Sequence, residues 1–197
     1  MSHYYITDNN LKNESRSFSY DYKGKRLSFL SDLGVFSKDR LDFGTHVLLQ
    51  SLPDFSDRKS LIDVGCGVGC IGICLKKAYP NLDVLMLDVN ERCIELTKKN
   101  IENNKIEATV LKSSLYENVN GSYEIIISNP PIRAGKKIVF GVVEDGFDLL
   151  KNGGEVYIVI QKKQGADSMK KKMEEVYGNV EVISKEKGYF VFKSIKR

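Results

Sequence analysis

Histidine is almost missing from this chain: His3 and His46 are its only two in 197 residues. Cysteine is sparse as well, with four: Cys66, Cys70, Cys74 and Cys93. So few imidazoles make a zinc site unexpected. A radical-type iron–sulfur site needs a loop with a different cysteine spacing. Here the first three recur every fourth residue, like one face of a helix. Cys70 and Cys74 fall inside an apolar helical segment, where a thiol is usually a small buried hydrophobe. No metal role is therefore assigned, and free thiols agree with a reducing compartment. Long apolar runs are lacking too. Glu124–Ser128 and Glu155–Ile160 are strand-length, well short of the roughly 18 apolar residues of a membrane span. The N-terminus, Met1-Ser2-His3-Tyr4-Tyr5, has no basic start before an apolar stretch, so no secretory signal is read. No internal repeat and no low-complexity linker is visible. The expectation is a soluble cytoplasmic protein.

Hydrophobic residues make up 42% of the chain. That supports one sizeable core and one domain spanning 1–197. Residues 1–40 read as an N-terminal extension and 41–197 as the core. Charge is uneven. Residues 1–160 hold 20 Lys/Arg against 21 Asp/Glu, a balance of −1, whereas residues 161–197 hold 10 against 5, a balance of +5. A basic C-terminal part suits a phosphate backbone. A solvated helix face at Lys170-Lys171-Lys172 explains the same excess, and both readings stay open.

Strand and helix patterns alternate, which argues for an α/β class. Phe18–Tyr22 and Arg26–Ser31 are strand-like, with a turn at Lys23-Gly24-Lys25. A helix is expected from about Thr45 to Leu52, stopped by Pro53. The core then reads as strand 61–64, helix 70–78, strand 83–88, and a helix through Asn104 capped by Asn90. Strands 108–112 and 123–128 follow, then a helix from about Lys137 to Leu150 that stops at Gly153-Gly154. Strand 155–161, helix 166–177, and a hairpin of 180–184 with 189–195 across Lys187-Gly188 complete the pattern. The expected fold is a Rossmann-like, doubly wound, seven-stranded sheet with an antiparallel last strand and a small N-terminal hairpin. Ligands of such sheets lie beyond the carboxyl ends of the strands. Asp63, Asp88, Ser113 and Asn129 all fall at such ends.

Gly67-x-Gly69-x-x-Gly72 after the first core strand matches a dinucleotide fingerprint, with Asp88 at the distance of a ribose-binding carboxylate. Alone, this pattern would admit NAD. Asp63 shifts the balance. A carboxylate in the glycine turn sits poorly against a pyrophosphate and well against an ammonium or sulfonium group. Its structural alternative is a carboxylate that merely stabilises the turn or the helix start; for Asp88 the alternative is a cap. At Asn129-Pro130-Pro131 the prolines stiffen the loop. The Asn129 amide oxygen and the Pro130 carbonyl can act as two acceptors for the two hydrogens of an exocyclic amine. Holding the nitrogen so is catalysis mainly by positioning.

With Asp63-x-Gly65-x-Gly67-x-Gly69, Asp88 and Asn129-Pro130-Pro131, the chain resembles class I S-adenosylmethionine-dependent methyltransferases that act on amino nitrogens. Phe36–Thr45, Ile126–Gly135 and Glu155–Gly165 resemble the bacterial 16S ribosomal RNA guanine-N2 methyltransferases, in particular their short single-domain relatives. The resemblance implies that Asp63, Gly65, Cys66, Gly67 and Gly69 meet the methionine end of the cofactor. It places Asp88 and Val89 at the ribose, Ser113 and Ser114 near the adenine, and Gly44 and Thr45 over the cofactor. Asn129, with Pro130 and Pro131, would hold the amine, Asn129 would also meet the cofactor, and Ile132, Arg133 and Lys136 would meet the substrate. Two departures stand out. Ile132 occupies a position that is often aromatic, and Ser113-Ser114-Leu115 lacks the acidic residue common in that loop. Ribosomal RNA or the small ribosomal subunit is the implied partner. A protein glutamine amide, an adenine amine, a non-catalytic cofactor-binding RNA chaperone and a nicotinamide oxidoreductase are the alternatives.

Overall fold

The computed structural model describes residues 16–32 and 40–197. The first part of the Phe36–Thr45 segment, residues 36–39, lies outside them. Two strands, β1 (Arg16–Tyr22) and β2 (Lys25–Ser31), form a separate antiparallel hairpin. Lys23 and Gly24 both take positive φ (47° and 71°) at its tip. That is the turn whose twist matches a two-residue hairpin.

The remaining strands form one sheet. In chain order the elements are α1 (Phe43–Ser51), β3 (Ser60–Val64), α2 (Cys70–Ala78), β4 (Asp83–Asp88), α3 (Glu91–Asn103), β5 (Thr109–Lys112) and β6 (Tyr123–Ser128). They continue with α4 (Lys136–Glu144), α5 (Gly146–Leu149), β7 (Leu150–Gln161), α6 (Ala166–Tyr177), β8 (Glu181–Glu186) and β9 (Tyr189–Ile195). The spatial order is β5-β4-β3-β6-β7-β9-β8. β3 to β7 run parallel, and β9 lies antiparallel between β7 and β8. The chain winds outward from β3 through β4 to β5, then crosses back to β6. The crevice therefore opens at the carboxyl ends of β3 and β6, where the glycine turn and the Asn129 loop emerge.

Two cores flank the sheet. One joins α1, α2 and the hairpin through residues such as Phe29, Leu48, Phe55 and Leu75; the other joins α4 and α6 through Val142, Met169 and Met173. β6 is buried almost throughout because both faces are covered. This explains its continuous Ile125-Ile126-Ile127 run in place of an alternating pattern.

Three expectations need correction. α1 starts earlier than expected, because the Asp42 side chain caps it by accepting the Thr45 amide at 3.1 Å. The helix expected over 137–150 is broken into α4 and α5 at Asp145. There a Cβ on Gly146 would stand 2.7 Å from the Tyr116 hydroxyl, which itself donates to Val142 O. Finally, Gly153-Gly154 stops no helix. It lies inside β7, where the two steps from Tyr123 to Ile125 on β6 face the five from Leu150 to Glu155 on β7. The surplus bulges outward and is tied down by Gly153 N to Lys196 O at 2.7 Å and Lys196 N to Gly154 O at 2.9 Å.

The hairpin is fixed to the core by two buried asparagines of the α3 region. Asn104 bonds both backbone groups of Ser28, at 3.0 and 2.7 Å. Asn100 bonds Leu30 N at 2.7 Å and Leu30 O at 3.0 Å, and also donates to Val68 O in the glycine turn at 2.9 Å. The Asp32–Arg92 ion pair closes the same seam. An amide side chain here replaces the strand that the outer edge of β2 lacks. Asn100→Ala would strand three backbone groups, the two of half-buried Leu30 and the buried Val68 carbonyl. It should cost about 2–4 kcal/mol at roughly 1–3 kcal/mol per unsatisfied group after partial relaxation, read from urea unfolding. A change below about 0.5 kcal/mol, the size expected of a neutral surface substitution, would contradict this role.

Candidate active site

The glycine turn is built from backbone bonds to the neighbouring strand. Gly65 N and Cys66 N both donate to Leu87 O, at 2.8 and 2.9 Å. Gly65, Gly67 and Gly69 take φ of 71°, 58° and 87°, the left-handed region that suits glycine. At Gly69 a Cβ would also collide with Ile73 and Thr97, at 2.8 and 2.9 Å. At Gly67 nothing among the described residues lies within 4 Å of that point. Gly72 serves packing, since Met86 lies 2.6 Å from where its Cβ would be.

Asp63 is fully buried at the end of β3. Its Oδ2 accepts the Gly72 amide at 2.9 Å, so it satisfies a first-turn donor of α2 that the capping glycine, Gly69, cannot reach. The turn-stabilising role is thus present. It uses only one oxygen, because Oδ1 is buried with no partner among the described residues. Burial pushes the Asp63 carboxyl up to about 7, with the nearby Asp88 adding to the rise. Asp88 is also buried. Its Oδ2 accepts Gly67 N and its Oδ1 accepts Asn90 N, both at 2.9 Å. Burial raises this carboxyl as well. Asn90, not Asp88, caps α3 by accepting Arg92 N. A carboxylate has about four acceptor positions, so Asp88 keeps capacity for further donors.

Between these strand ends lies a small pocket lined by Gly65, Asp88, Val89, Ser113, Ser114 and Pro131. The sequence singled out all six. Leu115, named in the same loop, lines it too, as do Ile138 and Val142, which carried no sequence signal. Leu115 takes φ of 50° and lies 2.4 Å from where a Gly141 Cβ would be, so Gly141 makes room for it. The Ser113-Ser114 loop is held by the exposed Glu117 carboxylate, which accepts Ser114 N at 2.9 Å. The Cys66 thiol is buried, and burial drives its pKa well above the normal value. It packs in the turn beside Thr97, whose hydroxyl donates to Gly67 O at 2.9 Å.

Asn129 follows β6, two residues before Pro131, which lines the pocket and whose Cδ lies 3.3 Å from the Cβ position of Gly65. Its Nδ2 donates to Asp42 Oδ2 at 2.9 Å and to Thr45 Oγ1 at 3.0 Å. A carboxylate only accepts, so the amide nitrogen must face Asp42. Both amide hydrogens are then engaged, and Oδ1 is left as an acceptor. Asp42 escaped the sequence analysis. Its only signal was an acidic residue three positions before Thr45, at a helix start. Gly44, between the two, has Tyr189 Cε1 2.8 Å from its Cβ position.

The three expected substrate residues spread apart. Ile132 is half-buried and packs towards the α4–α6 core. Arg133 is exposed. Lys136 is exposed and sets its ammonium 5.0 Å from the Phe140 ring centroid, a ring also approached by Lys172 of α6. Among the described residues, no cluster of His, Cys, Asp and Glu could hold a metal ion.

The raised carboxyls set a pH dependence. The Asp63 value rises from 3.8 to about 7 on folding. Between those limits the folded chain holds a proton that the unfolded chain has lost. Stability therefore falls as pH rises from about 4 through about 7. Urea midpoints should decline across that window and decline less in Asp63→Asn. An equal decline in the variant would contradict the assignment.

Comparison with known proteins places this geometry. The methyltransferase small domain family matches residues 26–193. The uncharacterized protein YbxB of Bacillus subtilis is 41% identical over 197 residues, covering 98% of each chain. Ribosomal RNA small subunit methyltransferase C of Vibrio cholerae is 27% identical over 188 residues, covering 92% of this chain and 53% of that one. The chain thus spans about half the length of the named ribosomal RNA methyltransferase it matches. Among solved structures, the T. thermophilus 16S rRNA N2 methyltransferase in complex with AdoMet and guanosine superposes with a TM-score of 0.83. It is 23% identical, and the overlap covers 93% of this chain and 51% of that one. With its family match running from the hairpin to the last strand, the chain belongs to the methyltransferase small domain family.

Proposed function

We propose that the protein is a cytoplasmic S-adenosylmethionine-dependent N-methyltransferase whose acceptor is the exocyclic N2 amine of a guanine in small-subunit ribosomal RNA. The observation that carries this reading is the anchored amide of Asn129. Asp42 and Thr45 occupy its nitrogen, which leaves its oxygen to accept from an amine. The Pro130 carbonyl, on a loop stiffened by two prolines, is the second acceptor. Holding both hydrogens of a planar amine leaves the nitrogen lone pair free above the plane.

The residues present suit the cofactor. Asp88, Ser113 and Ser114 line the pocket and would take the ribose hydroxyls and the adenine end, and the buried Asp63 carboxylate behind the glycine turn would offset the charge of the ammonium. Gly44 and Thr45 would lie over the cofactor, and Val89 and Cys66 would pack against it. S-adenosylmethionine would supply an electrophilic methyl group on a sulfonium centre. In the transfer the sulfur–methyl bond breaks as the nitrogen–methyl bond forms, and the nitrogen loses its proton afterwards. No general base is required before the transfer. Support for the ribosomal target comes from the relatives named for it and from the basic C-terminal part.

Asn129→Ala should leave the cofactor Kd within a few-fold and lower kcat by about 100-fold, the scale of a misplaced reacting group. Equal losses in Kd and kcat would contradict an acceptor-holding role. Incubation with labelled cofactor and either undermodified small ribosomal subunits or release factors separates the acceptors. Label is expected in the RNA, and label confined to protein would overturn the RNA reading. A cationic ligand beside Asp63 favours its ionised form. Cofactor affinity should therefore rise roughly tenfold from pH 5.5 to 7, and much less in Asp63→Asn.

A further inference from the structure

Ile132 stands where an aromatic wall for the acceptor base would be expected, yet aromatic rings do converge beside Asn129 from elsewhere. Phe43 opens α1, one residue after Asp42. Tyr189 opens β9, and its ring packs edge-on against Phe43 at 5.6 Å between centroids. Gly44 permits that approach. The point where its Cβ would stand is 2.8 Å from Tyr189 Cε1 and 3.1 Å from the Asp42 oxygen that holds Asn129. Both rings are half-buried. Phe43 is approached by Lys187, whose ammonium sits 5.0 Å from the ring centroid.

Strand register gathers cations at the same edge. Gln161 pairs with Tyr189, and Lys162 N donates to Gly188 O at 2.7 Å. Lys162 and Lys163 therefore flank the turn that carries Lys187. All three are exposed, and none forms a salt bridge among the described residues; Glu186 is the acid of that turn. The lysines of α6 differ. Lys172 is paired with Glu144 and Glu175, while Lys170 and Lys171 are interleaved with Asp167, Glu174 and Glu175. Part of the unpaired positive charge of the C-terminal part thus lies at the mouth of the site, whereas α6 carries as many acids as lysines.

We propose that Phe43, Tyr189, Lys162, Lys163 and Lys187 form a ledge that binds the single-stranded RNA next to the acceptor nucleotide, a reading that rests on the methyl-transfer assignment of the adjoining site. A base stacks on Phe43 and displaces the Lys187 ammonium, which turns to the phosphate of that nucleotide. Lys162 and Lys163 meet the following phosphates. Aromatic faces interleaved with lysines recognise single strands with little sequence preference. The target base must be unpaired or flipped out to reach Asn129. A duplex, whose bases are stacked on one another, gains nothing from the rings.

The test is fluorescence anisotropy with a labelled short single-stranded RNA of mixed sequence, its duplex form, and an acidic peptide of equal charge. Wild-type protein should prefer the single strand. Replacing Lys162, Lys163 and Lys187 together with Gln should weaken binding and lower the slope of log K against log salt by about 2, at roughly 0.7 per lost phosphate contact. Phe43→Leu and Tyr189→Leu should each weaken binding about tenfold and leave the slope unchanged. Wild-type affinity in the lysine variant, or equal binding of the peptide or duplex, overturns the ledge. The lysines are exposed, so that variant remains a fair test if a leucine variant does not fold. Stabilisation of the wild type by S-adenosylmethionine in a thermal shift is scored separately. Its absence counts against methyl transfer itself, whereas loss of RNA preference with stabilisation intact counts against the ledge alone.

Discussion

The site depends on one amide group that cannot turn. Asn129 sits at a strand end in a loop stiffened by prolines, and both its amide hydrogens are taken by Asp42 and Thr45. Asp42 has two tasks, because the same oxygen caps α1 through the Thr45 amide. Helix start, strand end and acceptor geometry are therefore one hydrogen-bonded unit. Were the amide free to rotate, its donor and acceptor ends would interchange, and the loop would no longer define which groups an incoming ligand must donate. Catalysis by positioning needs that rotation removed before the ligand arrives.

The glycine turn applies the same logic to charge. Asp63 and Asp88 are both withheld from water, and backbone amides hold them in place, Gly72 N of α2 for Asp63 and Gly67 N of the turn for Asp88. Among the described residues neither has a cationic side chain as partner, and burial raises both carboxyls. A site that keeps two carboxylates under-compensated is primed for a ligand that brings hydroxyls and a positive charge. Asn100 extends this dependence outward, since one side chain joins the N-terminal hairpin to Val68 in the turn. The hairpin is thereby wired to the proposed cofactor side of the crevice, and the β8–β9 turn to the proposed substrate side.

Much of the scaffold was legible because it rests on local pattern. Helix 70–78, strands 83–88, 123–128 and 189–195 and helix 166–177 match the sequence reading residue for residue, as their apolar periods and glycine or proline boundaries are strong. The residues gathered at strand ends were legible for the same reason: topology alone sends Asp63, Asp88, Ser113 and Asn129 to one edge. What escaped is tertiary. Asp42 meets Asn129 across 87 positions, and Asn100 meets Leu30 across 70; no periodicity encodes such pairs. Gly153-Gly154 looked like a helix stop because the same residue type serves bulges and caps alike. Tyr189 read as one more strand residue until the register of β9 against β7 brought it over Gly44.

The most direct test of the proposed activity is nucleoside mass spectrometry of small-subunit ribosomal RNA from a strain lacking this gene. Loss of one N2-methylguanosine, restored by the wild-type protein and not by Asn129→Ala, is the result the account predicts. An unchanged set of methylated nucleosides in the deletion strain would contradict it.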